Sequence, residues 1–210
     1  MANDEEKFLK ALEKLKEEKK ESKFDQTIDL IINLKNFDVR REAFNTFIFL
    51  PHKIKDKKIV GFLEKDSHLI DTIKKDDFGR YKEKKDMKKL IKKYDFFVSN
   101  AKLMPAVATS FGRVLGPVGK MPSPQLGVLI SEDEKAIQEL LKKINSSIRV
   151  RVKEPSIKIG VAKQSLSKEA IIENLVFAYN KILEALPKKR DNIRNVKIKL
   201  TMGKPVGVEI

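Results

Sequence analysis

Up to Pro51 the chain offers one helix and two strands, too few elements to enclose a core, so the missing layer must come from elsewhere in the sequence. Phe8, Ala11, Leu12 and Leu15 repeat on one helical face. Asn3 followed by Glu6 has the form of a capping box, which predicts an amphipathic helix over about 4 to 20. TIDLIINL (27–34) sets Ile28, Leu30, Ile32 and Leu34 against Asp29 and Asn33, the alternation of a strand with one buried face. EAFNTFIFL (42–50) is aromatic-rich and ends at Pro51, a second strand. The missing elements stand at the far end of the chain. They are the strand SIKIGVA (156–162), a helix capped by Ser167 and ending at Pro187, and the strands VKIKLTM (196–202) and VGVEI (206–210). That helix carries Ala170, Ile171, Leu175, Ala178, Tyr179 and Ile182 on its apolar face. Turns at Pro51-His52-Lys53 and Glu154-Pro155 mark where the chain leaves this unit and re-enters it. The expectation is a split α+β domain, 1–56 and 153–210, with 57–152 inserted through two crossings that form a hinge.

The middle region changes rhythm to alternating strands and helices. KIVGFLE (58–64) and YDFFVSN (94–100) are continuous apolar runs of the kind buried on both faces of a parallel sheet, with helices expected near 67–75 and 84–93 between them. LGVLI (126–130) reads as a strand. A helix over roughly 133–146 follows, capped by Ser131, with Glu132, Asp133 and Glu134 favourable in its first turn, and then the strand SIRVRVK (147–153). The pattern is a small doubly wound α/β unit. Within it, GRVLGPVGKMPSP (112–124) raises the possibility of a phosphate-cradling loop. Gly119-Lys120 supplies the Gly-Lys pair of a P-loop, but Val114 stands where the first glycine belongs and Met121 where the metal-binding hydroxyl belongs. Gly112, Gly116 and Gly119 miss the dinucleotide spacing as well. The remaining reading is a long rigid surface loop with Arg113 and Lys120 solvated on it.

Charge supplies the functional lead. The sequence has 45 Lys and Arg against 30 Asp and Glu, a net +15 with a pI near 9.7, which calls for an anionic partner. Residues 141 to 210 hold 16 of the basic and 6 of the acidic side chains, so the excess is concentrated where the re-entering segment lies. The lysines of 77–93 alternate with acids and read as a solvated helix face. Nucleic acid is favoured over membrane, because no apolar run approaches bilayer length. MANDEEKF lacks the regions of a signal peptide, giving the expectation of a cytoplasmic protein. With no cysteine and two isolated histidines, His52 and His68, neither a metal site nor a catalytic triad is expected.

Three stretches in this order, KFDQTIDLIINL (23–34), FGRVLGPVGKMPSP (111–124) and KLTMGKP (199–205), resemble the ribosomal protein L-one family in its archaeal form, and the resemblance runs over essentially the whole chain. It implies a split first domain with an inserted Rossmann-like, three-layer α/β second domain. It further implies a non-enzymatic constituent of the large ribosomal subunit, cytoplasmic, free of cofactors and metals, away from membranes and monomeric when not bound. Its partners would be the large-subunit rRNA stalk beside the exit site, deacylated exit-site tRNA, the rest of the subunit, and its own mRNA, whose translation it would repress. The RNA-touching residues carried over are Lys23, Phe24, Gln26 and Thr27, with Thr201, Met202 and Gly203, and Lys158, Lys163 and Ser165 on a further strand and the turn after it. The chemistry fits the role. Threonine hydroxyls exchange hydrogen bonds with a ribose 2'-OH, Gly203 admits close backbone approach, and Phe24 and Met202 supply apolar surface. Without the resemblance, Phe24 and Met202 would read as core residues and Thr201-Gly203 as a plain turn. Many relatives carry Glu where Gln26 stands, and Lys204 separates Gly203 from Pro205 where bacterial members place proline directly after the glycine. For 112–124 the resemblance implies a structural and interdomain loop, with Arg113 and Lys120 as further RNA or tRNA contacts.

Overall fold

The apolar stripe of Phe8, Ala11, Leu12 and Leu15 is buried along α1 (Ala2–Glu17) in the computed structural model, which describes residues 2–17, 24–81 and 83–209. The helix begins at Ala2, which puts Asn3 inside its first turn instead of ahead of it, and residues 18 to 20 of the expected helix lie outside the described ones. In chain order there follow β1 (Thr27–Leu34), β2 (Asn45–Phe49), β3 (Ile59–Phe62), β4 (Asp71–Ile73), a 3-10 segment (Lys75–Tyr81), α2 (Lys84–Lys93) and β5 (Phe96–Asn100). Then come α3 (Met104–Val118), β6 (Val128–Leu129), α4 (Glu134–Ser146), β7 (Ser147–Arg151), β8 (Ser156–Lys163), α5 (Lys168–Ala185), β9 (Ile193–Leu200) and β10 (Val206–Val208). The chain is mixed α/β and divides into two compact units, 1–55 with 146–210, and 56–145. The return crossing lies at Asn145-Ser146, upstream of the expected 153, because β7 pairs antiparallel with β2, Arg151 opposite Asn45 through Ser147 opposite Phe49.

In the first unit the strands form an antiparallel sheet of order β10-β9-β1-β8. The central β1 joins two strands from the far end of the sequence. Its inner residues Ile28, Leu30, Ile32 and Leu34 are buried with Ile157, Ile159 and Val161 of β8 and Val196, Ile198 and Leu200 of β9, while its alternate residues face outward, as period-two side chains must. α1 and α5 cover the inner face, where the Phe8 and Tyr179 rings meet edge to face at 5.9 Å. α5 is capped by Ser167, whose hydroxyl accepts the Ala170 N–H, and all six residues of its expected apolar face are buried. A polar residue also lies within this core. Fully buried Asn174 accepts the His52 N–H on Oδ1 and donates from Nδ2 to the carbonyls of His52 and Val161, each at 3.0 Å.

The second unit holds a parallel sheet of order β4-β3-β5-β6. β3 and β5 are adjacent and nearly all their residues are buried, as continuous apolar runs require. Two expectations fail here. The helix expected near 67–75 is instead strand β4, whose three residues pair with Val60 to Phe62, followed by the 3-10 segment; backbone pairing at the sheet edge outweighs helical propensity. More consequentially, most of the expected 112–124 loop is the last half of α3. Val107, Phe111 and Leu115, spaced four apart, bury one helix face, and that burial outweighs the cost of Gly112 and Gly116. Pro117 falls in the final turn, after which Gly119 adopts φ 76° and the N–H groups of Gly119 and Lys120 return to the carbonyls of Gly116 and Leu115, a Schellman ending. Arg113 is exposed on the helix, whereas Lys120 donates from Nζ to the carbonyls of Ile91 (2.8 Å) and Tyr94 (2.7 Å), closing the C-terminal end of α2. Ser131 does not cap α4; the Asp133 carbonyl accepts the Ile137 N–H and opens that helix.

Candidate nucleic-acid interface

Where β1 begins, β8 ends and β9 turns, three stretches far apart in sequence are tied together. Thr27 N–H donates to Thr201 Oγ1 (3.1 Å), Thr201 N–H donates to the Thr27 carbonyl (3.1 Å), and the Thr201 hydroxyl donates to that same carbonyl (3.3 Å), across 174 residues of chain. Gln26 is buried, 1 % exposed, and its Oε1 accepts the Met202 N–H at 3.0 Å, while its carbonyl accepts the Gln164 N–H at 2.8 Å. An uncharged amide is sufficient at this position, since what it supplies is one acceptor oxygen for a backbone donor. The turn closes with Gly203 N–H on the Leu200 carbonyl at 2.9 Å. A Cβ on Gly203 would stand 3.2 Å from Leu200 Cβ, so the close approach of the two backbones favours glycine here.

Asp25, which sequence reasoning passed over, organises the neighbouring turn. Its carboxylate accepts Ser165 N–H (3.1 Å) and the Ser165 hydroxyl (2.9 Å), and its carbonyl accepts from Lys163 Nζ (2.9 Å). No local signal marks it, because its partners lie about 140 residues on. The structure thus brings Gln26, Thr27, Lys163, Ser165, Thr201, Met202 and Gly203 into one corner. Phe24 and Met202 are 52 % and 67 % exposed there, which for side chains of this type means apolar surface presented to solvent. Lys158 is elsewhere: it stands opposite Ile31, four residues along β1 from Thr27 or about 13 Å, and its Nζ lies 3.3 Å from Glu154. Lys23 lies outside the described residues. Among the described residues no cluster of His, Cys, Asp or Glu is suited to a metal ion, and no helix is long and apolar enough to cross a membrane.

The outward face of the sheet continues from this corner. Asp29 sits opposite Lys199, and Ile31 sits between Lys197 and Lys158. Gly160 permits the packing beside Asp29, since a Cβ there would stand 2.8 Å from Thr27 Cγ2 and 3.3 Å from Asp29 Oδ1. Burial pushes the Asp29 carboxyl above its ordinary range, and the Lys199 charge only partly opposes it. A raised folded pKa means the protonated form favours folding: that contribution is fully present below the unfolded value and is lost as pH rises through the folded one. Asp29→Asn is therefore expected to raise the thermal midpoint at pH 7, with the advantage over wild type shrinking to nothing below about pH 4. A midpoint gap unchanged with pH would contradict this account.

The chain thus combines a mixed α/β fold, an excess of cations and a hydrogen-bonded turn that displays apolar and hydroxyl groups. Residues 15–204 match the Ribosomal protein L1p/L10e family, and the chain belongs to that family. It is 36 % identical over 201 residues to the large ribosomal subunit protein uL1 of Nanoarchaeum equitans, covering 91 % of this chain and 94 % of that one. It is 32 % identical to the uL1 protein of Pyrococcus horikoshii, over all of this chain and 98 % of the relative. The uL1 protein of Methanobrevibacter smithii is 31 % identical, with 95 % and 97 % covered.

Proposed function

We propose that the chain is a constituent of the large ribosomal subunit, as its relatives' names state of them, that it is not an enzyme, and that it holds rRNA of the stalk beside the exit site through the corner at Thr27 and Thr201. The observation that carries this is the clamp itself. The Thr201 hydroxyl spends its hydrogen on Thr27 and one lone pair on the Thr27 N–H, which leaves one lone pair for a donor such as a ribose 2'-OH. Buried Gln26 holds one turn from within and exposed Asp25 holds the other at the surface, so the corner meets its partner with little ordering cost. Lys163 keeps two of its three N–H donors for phosphate, and Phe24 and Met202 offer surface to a ribose or base. Lys158, Lys197 and Lys199 extend a cationic track along the sheet. In this reading 1–55 with 146–210 is the RNA-binding domain and 56–145 a Rossmann-like insert joined by a hinge. The protein works in the cytoplasm, is monomeric when free, contacts departing deacylated tRNA, and represses its own mRNA through a fold like the rRNA stalk.

The test is binding of the purified protein to its own species' stalk RNA and to an unrelated duplex of equal length, across a salt series. Thr201→Val leaves the Thr27 N–H without its acceptor and removes the 2'-OH partner, and is expected to weaken stalk binding about tenfold to a hundredfold while leaving duplex binding within about twofold. Gly203→Val is expected to act in the same direction, by displacing the turn. Equal affinity of wild type for both RNAs at every salt concentration would reduce the surface to bulk charge and overturn the site.

A further inference from the structure

Ligands of open parallel sheets bind outside the carboxyl ends of the strands, where neighbouring strands send their connections in opposite directions. In the second unit that switch point lies between β3, whose chain goes on to β4, and β5, whose chain goes on through α3 to β6 on the other side. The crevice at this point is filled. Glu132, from the segment between β6 and α4, reaches across so that Oε1 accepts the Glu64 N–H (2.9 Å) and the Asn100 side-chain amide (2.5 Å), and Oε2 accepts the Lys65 N–H (3.0 Å). Glu64 and Lys65 follow the end of β3 and Asn100 is the last residue of β5, so one carboxylate bridges both sides of the switch point. Two successive N–H groups converging on one anion form the backbone nest that phosphate sites use. Asn100 is itself held, 4 % exposed, with Oδ1 accepting the Lys102 N–H at 3.0 Å, so its amide is fixed toward the seat. The sequence suggests that Glu132 serves the N-terminus of α4, yet its carboxylate is committed to β3 and β5 instead.

We propose that the crevice between β3 and β5 is an oxyanion site that the chain fills with its own Glu132 carboxylate, and that a phosphate takes the seat when this carboxylate is removed. A phosphate presents two oxygens much as a carboxylate does, so both backbone donors and the Asn100 amide are satisfied by either occupant. Burial pushes the Glu132 pKa up, but the Glu64 N–H, the Asn100 amide, the Lys65 N–H and the Lys65 charge outweigh it, so the group sits below the usual carboxylate range and the occupant is an anion at neutral pH. The unit thus keeps the phosphate geometry of its architecture without being open to nucleotides. This does not rest on the RNA reading, and the two can fail separately.

The experiment is a titration of inorganic phosphate against wild type, Glu132→Ala and Glu132→Gln, following the amide NMR signals of Glu64 and Lys65, with chloride at matched ionic strength as control. In Glu132→Ala both signals are expected to move saturably with half-saturation on the order of millimolar, and the thermal midpoint to rise with phosphate but not with chloride. Wild type and Glu132→Gln, which keeps an acceptor oxygen in the seat, are expected to show neither response. Unmoved amides in folded Glu132→Ala, or equal movement in wild type, would overturn the proposal. Should Glu132→Ala be unfolded in chloride, recovery of its dispersed spectrum in phosphate supports the site, and an unfolded chain in both salts refutes it.

Discussion

Phe111→Ala is expected to cost the second unit about 3 to 5 kcal/mol, the range for removing a buried ring that its surroundings cannot collapse to replace. Phe111 is 1 % exposed and its ring centroid lies 5.0 Å from both Phe62 and Phe78, with Tyr81 at 6.1 Å. These rings belong to β3 and to the 3-10 segment, so one side chain on α3 joins the helix to the sheet and to its neighbouring loop. Truncation leaves aromatic faces without partners. Hydrogen exchange in the native state reads the result: protection of the β3 and β5 amides should fall by two orders of magnitude or more, while β1 amides, which sit in a separate apolar cluster, keep theirs. Phe111→Leu keeps most of the volume and should cost much less, roughly 1 to 2 kcal/mol. A Phe111→Ala loss below about 1 kcal/mol would mean that α3 is not packed as described.

The corresponding result in the first unit concerns hydrogen bonds. Asn174→Leu is expected to destabilise by about 3 kcal/mol, although the new side chain is apolar and of similar size. The change strands the His52 N–H and two carbonyls, those of His52 and Val161, in a place where each unsatisfied group costs roughly 1 to 3 kcal/mol, with some relief where water reaches His52. The urea midpoint should fall with an unchanged slope, since the surface exposed on unfolding is nearly the same. His52→Ala provides the contrast. Its ring contacts Glu173 at 2.6 Å on the exposed side of α5, and removing it should cost no more than about 1 kcal/mol, because the amide of Asn174 binds the His52 backbone and not its ring. Similar losses for the two variants would show that the ring, not the backbone, is what Asn174 secures.

What the sequence made readable was whatever repeats locally. The alternation of β1 and the Ser167 cap with the six apolar positions of α5 stand in the structure where the pattern put them, because period and cap are properties of a few adjacent residues. α3 was hidden by the opposite circumstance. Glycine and proline dominate 112–124 to the eye, whereas Val107, Phe111 and Leu115, spaced for a helix, begin ahead of that stretch. β4 has only three residues, and its pairing with β3 carries more weight than any signal they hold. At the candidate interface, Thr27, Thr201 and Gly203 were legible through the family resemblance alone; no spacing connects positions 174 apart. Asp25, Asn174, Lys120 and Glu132 were illegible for the same reason. Each is an ordinary polar residue whose meaning lies in a partner dozens to more than a hundred residues away.

The placement of β1 between β8 and β9 has a further consequence in time. During synthesis β1 emerges early, but both of its neighbours arrive more than 120 residues later, and the Thr27 clamp is not completed until Thr201 has left the ribosome. A strand flanked by two late partners cannot hold its place in advance, since closing so long a loop is unfavourable until the contacts that reward it exist. A chain halted before β9 therefore carries Lys158 and the apolar β1 yet lacks Lys197, Lys199 and the clamp altogether. The corner formed by β1, β8 and β9 is therefore completed as a single late event, in the final stretch of synthesis.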